Sequence, residues 1–129
     1  MPKIAKEVAE QEFERFIGAM DIDLVNGMDE EDTAAVEKHR ARIVGAIESG
    51  QMIINDEGEP VMAVGDDAYT FHEPRGADLQ AQDSKKNGQD FGKLFAILAS
   101  ITNTSPKAFS KMRSRDLNTC TAVMTLMLG

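Results

Sequence analysis

Apolar residues fall at helical spacing up to Gly50, alternate like strands from Met52 to Glu73, and then return to helical spacing. This double change of period constrains the fold more than any other feature of the chain. In the first segment Ala5, Val8, Ala9, Phe13, Phe16, Ile17 and Met20 share one helical face, with Lys6, Glu7, Glu10, Glu14 and Arg15 mostly between them. This helix is expected to stop near Asp21. A polar connection, DIDLVNGMDEED, carries Asn26-Gly27 as turn material. Asp29 and Asp32 suit a helix start, where carboxylates meet the positive end of the backbone dipole. The second helix carries Val36, Ile43, Val44 and Ile47 and ends at Gly50, a natural left-handed cap.

QMIIN and EPVMAV read as two short strands around the acidic turn DEG. After a turn at Gly65-Asp66-Asp67, AYTFHE reads as a third strand, ended by Pro74, which cannot donate to a sheet ladder. Ala77 to Asp83 is a possible short helix, and SKKNGQ an exposed linker. Asp90 can cap a longer helix with the stripe Phe91, Leu94, Phe95, Leu98 and Ile101. Thr102-Asn103-Thr104 breaks it. Ser105 followed by Pro106 starts the next, because the missing N–H of proline costs nothing at the first helical position. Phe109 and Met112 anchor that helix. The last one opens at Ser114 or Arg115 and carries Leu117, Cys120, Met124 and Leu128 on one face.

The expected fold class is therefore α+β, mainly helical, with a small antiparallel sheet or meander in the middle. Residues 1–50 form an acidic helical hairpin. Residues 51–129 form the sheet and a helical cluster, expected to make one compact unit with the hairpin.

Charge is placed unevenly. Residues 1–65 hold 6 Lys/Arg against 15 Asp/Glu, a balance of −9, and residues 66–129 hold 8 against 7, a balance of +1. An overall −8 argues against nonspecific nucleic-acid binding. It can attract a basic partner or simply keep the chain soluble. No apolar run approaches the ~20 residues of a membrane span, and the amino terminus does not resemble a secretory signal. The single cysteine excludes an internal disulfide and fits a reducing cytoplasm.

Catalytic and metal signatures are missing from the sequence. Read as a calcium loop from Asp21, the acidic connection has Asp23 at its third position. Val25 stands at the fifth, however, Asn26 at the sixth and Asp32 at the twelfth, where Glu is wanted. His39 and His72 are not at metal-ligand spacing with each other. Cys120 has no neighbouring base in sequence and reads as core filler. Phosphate-binding glycine loops are absent. No catalytic residue, cofactor or metal is expected.

The chain has eight methionines, and its last helix ends in VMTLML, apolar nearly all round. Such a helix is either deeply buried or covered by another chain. Phe91, Phe95, Phe109, Val123, Met124, Met127 and Leu128 are accordingly the candidate protein-binding residues. The segment should also self-associate, making the chain a homo-oligomer.

The stretches AYTFHEPRGADLQAQD and KLFAILASITNTSPKAFSKMRSRDL with the apolar tail resemble the tail assembly chaperones of long-tailed bacteriophages. The resemblance is carried by Phe71, Pro74 and Asp78, then by Leu98, Ala99, Ile101, Thr102 and Pro106, and more loosely by Met112, Asp116 and Leu117. It covers about residues 68–128 and does not include the acidic hairpin. It implies a non-enzymatic protein of the host cell cytoplasm that coats the tape measure protein, keeps it soluble and helps recruit tail tube protein. Such a chaperone leaves before the tail is complete and is not part of the mature virion. An alternative from the charge pattern is an acidic inhibitor or decoy that occupies the nucleic-acid site of a host protein. A small enzyme assembled from distant residues such as His72, Glu73 and Cys120 is a further alternative.

Overall fold

The computed structural model describes residues 4–22, 30–80 and 90–128. Among the described residues, six helices and three strands follow in the order α1 (Lys6–Ala19), α2 (Glu30–Glu48), β1 (Met52–Ile54), β2 (Pro60–Val64), β3 (Asp67–Thr70), α3 (Gly76–Gln80), α4 (Asp90–Thr102), α5 (Pro106–Ser110) and α6 (Ser114–Leu128). The fold is mainly helical α+β with a three-stranded antiparallel meander, β1-β2-β3, as the change of period predicts.

α1 buries Ala9, Phe13, Phe16 and Ile17, and its last turn closes at Met20, with Asp21 left-handed at φ 53°. α2 buries Ile43, Val44, Ala46 and Ile47 and is followed by Gly50 at φ 84°, the expected left-handed cap. Asn26-Gly27, the Asp29 cap and most of the tested calcium loop lie outside the described residues, as do Ala81 to Asp83 and the linker SKKNGQ. α5 starts as its sequence predicts: Ser105 Oγ accepts from the Lys107 N–H and Pro106 takes the first helical position.

The β1–β2 turn is built by Asn55. Its side-chain oxygen accepts from the Glu57 and Glu59 N–H groups, an Asx turn. Gly58 sits in it at φ 81°, and a Cβ there would overlap the Ala19 methyl at the end of α1. Glycine is required twice over, by the backbone angle and by the close approach. Arg15 of α1 also reaches this turn, donating to the Ile54 and Asn55 carbonyls at 2.5 and 2.6 Å.

The third strand differs from its sequence expectation at both ends. Val64 pairs directly with Asp67, so only Gly65 and Asp66 form the loop, with Gly65 at φ 60° as a type II′ hairpin requires. Asp67 is therefore strand rather than turn. β3 ends at Thr70, well before Pro74, because the chain changes partners there. The Phe71 N–H still donates to Pro60 O, but the His72 N–H donates to Ile101 O at the end of α4.

One cluster of buried side chains runs from Phe13 and Phe16 through Ile43, Ile47, Met52 and Met62 to Leu98, Ile101, Phe109 and Val123. The helical hairpin and the later half thus share a core. α6 packs against both α2 and α4. Its Cys120 Sγ lies 3.6 Å from Met62 Sδ of β2.

Candidate functional site

The candidate binding residues separate into buried and exposed groups. Phe109 is fully buried, its ring 5.6 Å from that of Tyr69. Val123 is also fully buried and Met124 nearly so. Phe95 and Met127 are half-buried against the core. Phe91 is 70% exposed and Leu128 37% exposed. The apolar character of α6 on most sides is accounted for by burial of Cys120, Ala122, Val123, Met124 and Leu126 within the chain.

Phe91 opens α4, and its ring lies 6.2 Å from that of Phe95 at a tilt of 38°. Toward its other end the same helix buries Ala96, Ile97, Leu98, Ala99 and Ile101. α4 is therefore anchored at its carboxy-terminal half and presents an aromatic step at its start. Val8, Ile53 and Leu79 are further large apolar residues on the surface, outside the candidate set.

The residues carrying the family resemblance hold the fold. Phe71 is fully buried. Asp78 accepts from the Arg75 N–H at 2.7 Å and from Ser100 Oγ at 2.5 Å, fastening α3 to α4. Thr102 Oγ1 donates to the Leu98 carbonyl at 2.7 Å and contacts Thr104 Oγ1, closing the end of α4. Asp116, 5% exposed, accepts from Gln51 Nε2 at 2.9 Å and faces Arg113 at 3.6 Å.

Two polar features bear on chemistry. Burial, aided by the charge of Asp116, pushes the Cys120 thiol up to about 12. At neutral pH it is a protonated core side chain and a poor nucleophile. His72 Nδ1 lies 2.7 Å from Glu59 Oε2, beside a surface cavity that also reaches Arg75 and Asp78. Burial pushes the Glu59 carboxyl up, but hydrogen bonds from Asn55 and His72 and the charge of His72 outweigh it and hold the carboxyl below its ordinary value. Among the described residues, no group of three or more His, Cys, Asp or Glu could hold a metal ion. No helix there is long and apolar enough to cross a membrane.

The chain belongs to the phage tail assembly chaperones. The family described as "Phage tail assembly chaperone proteins, E, or 41 or 14" matches residues 62–129, more than half of the sequence. No curated protein and no solved structure matches the chain. The match runs from the middle of β2 through α6 and leaves out β1 and both helices of the acidic hairpin. Membership makes this a bacteriophage tail-assembly protein of a generally non-enzymatic family that binds tail proteins and acts in the host cell.

Proposed function

We propose that the chain binds the tape measure protein, keeps it soluble and helps recruit tail tube subunits in the host cytoplasm, and is absent from the finished virion. Family membership supports the chaperone role. The observation that supports the contact surface is Phe91, exposed over most of its area and tilted against half-buried Phe95 at the start of a helix whose carboxy-terminal half is buried. Covering an exposed aromatic of this size with a client side chain is worth roughly 1.5–3 kcal/mol. A few such contacts suffice for micromolar binding after the costs of association.

The contact residues are Phe91 and Phe95 at the start of α4 and Met127 and Leu128 at the end of α6. Phe109, Val123 and Met124 support them from within the core. An amphipathic client helix laid across apolar side chains is the suitable form of partner. The acidic hairpin keeps the loaded complex dispersed by like-charge repulsion. The test is co-expression with the tape measure protein of the same phage. That protein is expected in the soluble fraction with the chaperone present and in aggregates without it. Equal solubility in both cases contradicts the proposal.

A further inference from the structure

Among the described residues, the outward face of α2 is open to solvent. Glu31, Ala34, Ala35, Lys38, Ala41, Arg42 and Gly45 recur at helical spacing, and all are exposed. Beside this face an open groove of about 480 Å³ runs between α2 and α6. Lys38, Arg42 and Arg115 line it over a floor that includes Ala41, Gly45 and Ala46. Among the described residues, none of those three cations is ion-paired, although the chain carries −8 overall.

Charge reverses along the helix. Residues 30–37 contain Glu30, Glu31, Asp32 and Glu37 and no base. Residues 38–47 contain Lys38, Arg40 and Arg42 and no acid. Acids at the start suit the helix's own dipole. The dipole does not account for cations at mid-helix. Arg40 has partners in this chain, Glu14 at 3.3 Å and the Phe13 ring at 5.3 Å, but Lys38 and Arg42 face the groove.

We propose that two copies of the chain pair through this face, with their α2 helices antiparallel. The acidic first turn of each, Glu30 and Glu31, lies over Lys38, Arg42 and Arg115 of the other. Antiparallel packing forms the complementary contact twice about one two-fold axis, whereas parallel packing sets acid against acid. Net repulsion between two acidic molecules is screened beyond about 8 Å at physiological ionic strength, while contact pairs persist. The contact is separate from the client surface on α4 and α6 and does not rest on that reading.

Sedimentation equilibrium of the full chain tests it with two charge-reversed variants, Glu30→Lys/Glu31→Lys and Lys38→Glu/Arg42→Glu. The parent is expected to dimerise, and more weakly in concentrated salt. Each variant alone should dimerise at least about tenfold more weakly. Their equimolar mixture should regain the dimer, because each then meets opposite charge in both halves. Circular dichroism checks that the variants remain helical. A monomeric parent, reversed variants that dimerise as the parent does, or a folded mixture that stays monomeric would each overturn the proposal. So would a dimer broken by Leu128→Asp and indifferent to both reversals, an outcome that leaves the client surface standing.

Discussion

Gln51 and Asp116 stand 65 positions apart in sequence and are joined by a 2.9 Å hydrogen bond from Gln51 Nε2 to Asp116 Oδ1. Gln51 precedes the family-matched region and Asp116 lies within it. The same amide donates to Ala63 O at 3.2 Å, so one side chain ties the end of the hairpin to β2 and to the start of α6. Gln51→Leu leaves a buried carboxylate short of a donor and is expected to cost about 1–3 kcal/mol in urea unfolding. Asp116→Asn should cost less, and the double variant less than the sum of the two.

The Gly58 turn makes a sharper prediction. Gly58→Ala places a methyl against Ala19 at a backbone angle that disfavours L residues. A loss of about 2 kcal/mol or more in thermal or urea unfolding is expected. Adding Ala19→Gly should restore part of it, by removing the overlap while the backbone strain remains. Full stability in Gly58→Ala alone contradicts the described approach of the turn to α1.

The Glu59–His72 pair predicts an acid dependence. Because the folded carboxyl titrates below its ordinary value, the stability it contributes is fully present above about pH 4.3. It is lost as pH falls through the lowered folded value. Glu59→Gln should be less stable than the parent by about 1 kcal/mol near neutrality. That difference should shrink as the pH is lowered below about 4. A difference that stays constant through this acid range would mean that the carboxylate form is not what the fold stabilises.

Cys120 should resist alkylation in the folded protein at neutral pH and react once the chain is unfolded in denaturant. Its burial and raised pKa both oppose formation of the thiolate. Rapid modification without loss of structure would contradict its place between Met62 and Met112.

The helices were legible because their punctuation is local. Ser105-Pro106 and Gly50 act within their own turns, and the apolar stripes of α1 and α4 repeat often enough to be read. β3 was harder. Its start depends on a two-residue loop at Gly65-Asp66, and its end on the distant carbonyl of Ile101, which takes the His72 N–H. Of the candidate surface, periodicity identified side chains that share a face. It could not say what covers that face: Phe91 and Phe109 look alike in sequence, yet Tyr69 packs against Phe109 and leaves Phe91 open. The groove beside α2 was missed because Arg115 joins Lys38 and Arg42 only through tertiary packing.

The central claim is that the exposed start of α4 meets the client, and Phe91→Asp tests it most directly. The measurement is the soluble fraction of co-expressed tape measure protein, set beside the melting temperature of the variant. A surface substitution here should change stability by no more than about 0.5 kcal/mol. The account predicts an unchanged melting temperature with the client lost to aggregates. A variant that is equally stable and holds the client in solution as well as the parent does would contradict it.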